Sequence, residues 1–298
     1  MNRVIEHIEN NPQDTKRLIG LTFEQLKSLI EAAKKLENQK RQEIASAKKR
    51  IIEVGGGRPP KLSKEEQIIL TLVYLHHLPT FQMLGIQFGV SESAANYIFH
   101  YWIEIFRELL PASLLEQVKK SENEEEWVKE ILSELELIVD SCEQPRERPE
   151  AYQEQKKYYS GKKKNHTFKN QLIVTPKGSD IVDIEVGQPG PSSDINLWRE
   201  QQKKLDKNQM FKGDKAYQGE PRIDTPKKKN KNQELNPEVK ADNRRKSQER
   251  IFVEHLIRCL KIFRVASERF RLNAQNYGKV ILAVCGLVRL RIEAIILS

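Results

Sequence analysis

Leu135-Glu136-Leu137-Ile138-Val139-Asp140 is an apolar run closed by a carboxylate, and Met210-Phe211-Lys212-Gly213-Asp214 repeats the device further along the chain. Between them, Lys169 to Thr175 and Ile181 to Val186 read as two more strands, joined by the polar turn Pro176-Lys177-Gly178-Ser179. A helix is expected from Asp194 through Trp198 to Leu205, another from Pro237 past Lys261, and a last one from Ala274 to Leu297. Strands interspersed with helices in this way predict a mixed α/β domain over residues 113–298, with one strand ending at Asp140 and another at Asp214.

The chain before this domain reads as all-helical. Thr22-Phe23-Glu24-Gln25 is a capping box opening a helix towards Lys40, whose many charges suggest a solvated rod. Gly55-Gly56-Gly57-Arg58-Pro59-Pro60 interrupts it and divides an N-terminal region, 1–54, from a second unit, 55–112. There Ser63 to Glu66 caps a helix carrying Ile68, Ile69, Leu72, Val73 and Leu75. Thr80 caps a short one, Gly89 makes a turn, and Ser91 caps a third through Ala95, Ile98 and Trp102. Helix, tight turn, helix is the layout of a helix-turn-helix. In that reading the helix from Ser91 enters a DNA groove. Ser93, Asn96, Tyr97 and His100 then face bases or phosphates, and Arg58, Lys61 and Lys64 add phosphate contacts, since this helix has no Lys or Arg in its first three turns.

Composition narrows the partners. Fifty-one Lys and Arg against 42 Asp and Glu leave a net charge of +9 over 298 residues, which favours an anionic partner. Cys142, Cys259 and Cys285 are scattered without metal-ligand or disulfide spacing, as expected of a reducing compartment. No signal peptide is legible, and the apolar run 280–288 is too short to span a bilayer. A cytoplasmic, nucleoid-associated protein without a membrane partner is expected.

The chemistry lies in three acids. Asp140 and Asp214 end strands, and Glu254 follows Arg250 by four residues and precedes Lys261 by seven, so the three share roughly one helix face. Carboxylates converging from adjacent strands and a crossing helix suit Mg²⁺, which takes oxygen ligands and keeps several waters. Two such ions a few ångströms apart support in-line attack on phosphorus. Other acids compete less well. Glu143 lies near Asp140, Asp194 reads as a helix N-cap, Asp183 and Glu185 as solvent-facing, and Glu249 points about 100° around the helix from Arg250. Basic runs flank every acid: Lys156, Lys157, Lys162, Lys163 and Lys164, then Lys227 to Lys229 and Lys231, then Arg244, Arg245 and Lys246. Salt-dependent phosphate binding is the reading they favour. Trp102, Trp127 and Trp198 read as core anchors, and His76, His77, His100, His166 and His255 show no zinc-ligand spacing.

Several blocks together resemble the DDE transposases of bacterial insertion sequences, in the branch with a Tyr-Arg-Glu-Lys signature around the third acid. They are GGGRPPKLS (55–63), LGIQFGVS (84–91), VDSCEQPRERP (139–149), YYSGKKKNHTFKNQLIV (158–174), GDKAYQG (213–219), TPKKKNKNQELNP (225–237) and RIFVEHLIRCLKIFR (250–264). The resemblance spans residues 20 to 298. It implies a ribonuclease-H-like catalytic domain behind a helix-turn-helix, with Asp140, Asp214 and Glu254 as catalytic metal ligands for two Mg²⁺, Mn²⁺ being able to substitute. Arg250 and Lys261 match the signature's cations, which by resemblance engage DNA, whereas Ser247 stands where the signature has tyrosine. The partners so implied are double-stranded DNA (the element's terminal inverted repeats and a target) and further copies of the chain on that DNA. The activity implied is cleavage of the element's ends and their joining to target. A transposase-derived DNA-binding protein without catalysis and a plain metal-dependent endonuclease are the alternatives.

Overall fold

Ser63 and Glu66 exchange side-chain and backbone hydrogen bonds in the capping box the sequence announces, and Thr22 and Gln25 do the same forty residues earlier. In the computed structural model, which describes residues 3–47, 59–119, 122–227 and 236–297, such caps divide the N-terminal unit into six helices. They are α1 (Arg3–Asn10), α2 (Thr15–Ile19), α3 (Phe23–Ala47), α4 (Lys64–His77), α5 (Phe81–Phe88) and α6 (Glu92–Leu109). Helix α3 is not the solvated rod its charges suggest. It buries Leu26, Leu29, Ile30 and Ala33 on one face, together with the carboxylate of Glu37. Burial alone would raise the pKa of that carboxyl. Hydrogen bonds from Lys64 and from Tyr101 Oη (2.8 Å), with Arg41 alongside, overcome this and hold it below the ordinary value. This unit also takes in residues 263–265 and 295–297. Phe263 is fully buried within it, edge-on to His76 at 5.8 Å, and Ser28 Oγ donates to the Leu297 carbonyl at 3.2 Å.

The second unit comprises residues 111–262 and 266–294. It opens with α7 (Leu114–Val118) and α8 (Glu122–Ser133), followed by β1 (Leu137–Pro145), α9 (Tyr152–Tyr158), β2 (Tyr159–Ser160), β3 (Asn165–Val174) and β4 (Ile181–Pro189). Then come α10 (Asp194–Gln201), β5 (Phe211–Lys212), β6 (Ile223–Asp224), α11 (Pro237–Glu249), α12 (Ile251–Lys261) and α13 (Tyr277–Arg291). Antiparallel β1, β3 and β4 are followed by β5 and β6 parallel to β1, in the spatial order β4-β3-β1-β5-β6, with β2 extending the start of β3. This is the ribonuclease-H-like order, and the unit is mixed α/β as its alternating patterns predict. Leu137 and Val139 point to one face, where they pack with Ile173, Trp198, Phe211 and Tyr217. The two-residue period turns Ile138 and Asp140 to the other face, against which α12 packs.

The structure departs from four further expectations. Strand β1 does not stop at Asp140 but runs to Pro145, because β3 pairs with it as far as Pro145 and Thr167 and satisfies its backbone through a polar stretch. The helix after Pro237 is interrupted: α11 ends at Glu249, and Arg250 is the joint before α12. Trp127 is 62% exposed on α8 and anchors no core, unlike Trp102 and Trp198. Asp183 is buried rather than solvent-facing, and Lys204 Nζ reaches it at 2.9 Å.

Within the second unit, Arg289 ties α13 to residues 111–117 and to the residue before β4. Its guanidinium, with no exposed surface, donates to both carboxylate oxygens of Asp180 (2.6 and 2.8 Å), to the carbonyls of Pro111 and Ser113 (3.0 Å each) and to Gln117 Oε1 (3.0 Å). An arginine in an apolar helix therefore has its donors met by acceptors from two chain segments, 111–117 and Asp180, as a buried cation requires.

Candidate active site

The two aspartates are brought together by strand register. Leu137 pairs with Phe211 and Ile138 with Lys212 in the parallel ladder, so two residues further on Asp140 and Asp214 emerge from neighbouring strands, about 5 Å apart in the pairing direction. Gly213 permits this. A Cβ there would lie 2.9 Å from Ile223 Cγ2 and 3.0 Å from the Tyr217 ring, so any larger residue would push the end of β5 out of register. Asp214 then caps a single 3₁₀ turn, with Oδ1 accepting from the Ala216 amide at 2.6 Å. Glu254 stands in the first turn of α12, the helix lying on β1 and β3.

Asp140 carries the electrostatic signature of the cluster. Burial lifts its pKa from 3.8 to about 6. The Ser141 amide (2.8 Å to Oδ1) and Arg250 pull it down, while Asp214 and Glu254 push it up. Asp140 thus senses both other acids. Arg250 lies beside two of the three, with Nη2 3.7 Å from Asp140 Oδ2 and 4.0 Å from Glu254 Oε1. Among the described residues no three carboxylate, imidazole or thiolate groups converge into a ready metal cage. The donor set nevertheless fits a hard divalent cation: it is all oxygen, one member is desolvated, and its like charges repel unless a cation is present.

The choice of Glu254 over Glu249 has a physical basis. Lys212, 2.9 Å away, and Arg245, at 3.1 Å, bind Glu249, and the hydrogen bond from Lys212 holds its pKa low. Lys212 also pairs with Glu136 at 2.7 Å. Asp194 does not cap α10; Ser193 occupies that position without a side-chain bond. Asp194 Oδ1 instead accepts from Ser141 Oγ (2.6 Å) and Lys169 Nζ (2.8 Å). Glu143 accepts from Thr167 Oγ1 at 2.7 Å. Ser247, at the position of the signature tyrosine, is exposed and donates to the Asn243 carbonyl at 2.9 Å.

Lys162, Lys163 and Lys261 line one polar cavity of about 220 Å³ beside Ser141, while Lys164 lies in the same exposed turn without lining it. Sequence reasoning missed Lys169 and Asp194 as members of this cluster. The only signal was a lysine inside the strand stretch Asn165–Val174.

In the other unit, α5, the left-handed Gly89 and α6 form the helix-turn-helix, with Thr80 accepting from the Met83 amide and Ser91 from the Ala94 amide at 3.2 Å each. Gly85 lets the turn close, since a Cβ there would meet the Val90 carbonyl oxygen at 2.7 Å. Ser93 and Tyr97 are exposed on α6, and Asn96 is half-buried. Lys61 is exposed, whereas Lys64 is bound to Glu37; Arg58 lies outside the described residues.

Two family models match the chain: "DDE superfamily endonuclease" over residues 139–289 and "Helix-turn-helix of DDE superfamily endonuclease" over 60–112. A probable transposase for insertion sequence element IS702 from Microchaete diplosiphon is 30% identical over 267 residues, covering 88% of each chain. Among solved structures, a pre-cleavage Mos1 transpososome is 13% identical with a TM-score of 0.22, over 85% of this chain and 83% of that one. The mariner Mos1 paired end complex with Mg is 19% identical with a TM-score of 0.14, over 60% and 59%.

Proposed function

The chain belongs to the DDE superfamily endonucleases, as a transposase with an N-terminal helix-turn-helix, and on that premise we propose that Asp140, Asp214 and Glu254 are its catalytic metal ligands. The observation that carries the assignment is the strand register that sets Asp140 beside Asp214, with Glu254 coupled to Asp140 from the helix packed over β1. Two Mg²⁺ ions, or Mn²⁺, held by these carboxylates would supply Lewis-acid stabilisation of the attacking and leaving oxygens.

The remaining parts follow from the chain's own groups. Arg250 lies beside Asp140 and Glu254 and would hold a phosphate oxygen of the DNA entering there. Lys162, Lys163, Lys164 and Lys261 neutralise backbone phosphates near the scissile one. Ser93, Asn96 and Tyr97 on α6, with Arg58 before it, make the contacts that select the element's terminal repeats. Cleavage exposes a 3′-hydroxyl at the element end, and the same site then directs that hydroxyl onto a target phosphodiester. Two ends must be processed together, so the working form is an oligomer of this chain on DNA. No described helix is long and apolar enough to cross a membrane, and the chain acts at the nucleoid in the cytoplasm.

The test is cleavage of labelled duplexes carrying the DNA that flanks the gene, with Mg²⁺ or Mn²⁺ present. Wild-type protein cuts at the repeat boundary and joins the new end to a second duplex; Asp140→Ala and Glu254→Ala do neither. Cutting that survives both substitutions refutes the assignment. Cutting without joining identifies a plain endonuclease.

A further inference from the structure

Arg244, Arg245 and Lys246 form a basic run ahead of the third acid, yet the last two are committed to acids of the protein itself. Arg245 reaches Asp242 at 2.8 Å and Glu249 at 3.1 Å. Lys246 is buried, with Nζ 2.6 Å from Asp224 Oδ1 and 3.0 Å from Asp242 Oδ2. Burial would lower the pKa of that ammonium, but its hydrogen bonds to Asp224 and Asp242 hold it above the ordinary value. A lysine so placed would have to leave two carboxylates to meet a phosphate.

Asp224 gives this pair its place. It ends β6, where its partner in the parallel ladder is Lys212, the last residue of β5. Lys212 in turn binds Glu249 at 2.9 Å. Asn243 exchanges two hydrogen bonds with the backbone of Lys227, just beyond β6 (2.9 and 3.0 Å). Asn243, Lys246 and Glu249 follow one another at intervals of three along α11, so neighbouring turns carry the three contacts. The second half of α11 is thus clasped to the ends of β5 and β6, close in sequence to Asp214.

From the clasp the chain leads to the third acid. The Lys246 carbonyl accepts from the Arg250 amide at 3.2 Å, and the Arg250 carbonyl accepts from the Glu254 amide at 3.4 Å. This column of hydrogen bonds runs through the joint between α11 and α12, over about 12 Å at roughly 1.5 Å per residue. We propose that Lys246 is a positioning residue: by fastening α11 to Asp224, it sets where Glu254 stands relative to Asp140 and Asp214. The inference rests on the nuclease reading above and removes Lys246 from the basic residues that contact phosphate.

The experiment compares the full chain with Lys246→Met, Lys246→Arg and Asp224→Ala. Hydrogen exchange is measured in EDTA, as is affinity for the flanking-DNA duplex by fluorescence anisotropy over a range of salt. Cleavage of the same duplex is then titrated with Mg²⁺. Lys246→Met is expected to speed exchange at residues 250–257 and leave β1 and β3 protected. It should also raise the half-saturating Mg²⁺ concentration about tenfold, as loss of an outer partner does at metal sites. The salt slope of binding should stay the same, whereas a lost phosphate contact would reduce it by about one. Lys246→Arg should restore the Mg²⁺ requirement. Asp224→Ala should reproduce the methionine variant, with no further change when the two are combined, and it carries the test if Lys246→Met does not fold. A wild-type Mg²⁺ requirement and wild-type exchange in both variants overturn the proposal. So does a reduced salt slope in Lys246→Met, or additive effects in the double variant. Faster exchange at 250–257 without any Asp140-dependent cleavage would leave the clasp standing and remove the nuclease reading. Asp140-dependent cleavage with neither exchange nor Mg²⁺ requirement altered would do the reverse.

Discussion

Replacing Asp140 by Asn should inactivate the protein and stabilise it at the same time. Burial and the charges of Asp214 and Glu254 raise the pKa of this carboxyl from 3.8 to about 6, against the opposing pull of the Ser141 amide and Arg250. The folded state therefore holds the proton more tightly than the unfolded chain does. Stability falls as pH rises from about 4 to about 6, and above that window the whole penalty is present. A shift of about two units corresponds to roughly 3 kcal/mol, and partial water access reduces this to about 2 kcal/mol. Asn is neutral at every pH, and its oxygen keeps the Ser141 hydrogen bond now 2.8 Å long. Scanning calorimetry in EDTA at pH 7.5 should show the transition of the second unit raised by about 4–8 °C in Asp140→Asn. At pH 4 the two proteins should melt together. Adding Mg²⁺ should then raise the wild-type transition and leave that of the variant unmoved, because only a ligand that binds the native state stabilises it. A variant less stable than wild type at pH 7.5, or a difference independent of pH, would show that Asp140 is not a strained, desolvated acid.

Four further substitutions probe other parts of the structure. Arg289→Ala removes the partner of Asp180 and leaves the carbonyls of Pro111 and Ser113 without their donor, so a loss of about 3–5 kcal/mol in urea unfolding is expected, and a loss under about 1 kcal/mol would contradict the burial argument. Glu254→Gln should abolish DNA cleavage while Glu249→Gln, which loses only the pairs with Lys212 and Arg245, retains it; the opposite ranking in the same assay would reassign the third acid. Gly85→Ala should force the Val90 carbonyl away, with about 1–3 kcal/mol lost and weaker binding to the repeat ends by gel shift, and unchanged binding would mean that the turn tolerates a Cβ.

What could be read in advance followed periodicity and punctuation. Asp140 and Asp214 were visible because each closes an apolar run, and Ser63, Thr80 and Ser91 because caps are local. The continuation of β1 through Asp-Ser-Cys-Glu-Gln was not visible, since its stabilisation comes from pairing with β3 and not from its own side chains. The joint at Arg250 has neither proline nor glycine to mark it, and β2 and β6, of two residues each, are too short to show a period. Charged residues misled most. Glu37 and Asp183 look like surface acids until Lys64 and Lys204, distant in sequence, are brought against them.

Phe263, Val265 and Ile295 are buried in the unit that also carries the helix-turn-helix, although most of the chain around them folds into the other unit. No single cut in the gene therefore separates the unit with the helix-turn-helix from the unit that carries Asp140, Asp214 and Glu254. A fragment ending near residue 110 would leave a gap where the Phe263 ring sits beside His76. Recombination between relatives that exchanged only the first 110 residues would join a helical unit to a ring and a tail evolved for another. On the proposed role of α6, point substitution there would change end specificity with less damage to the fold than an exchange of the first 110 residues.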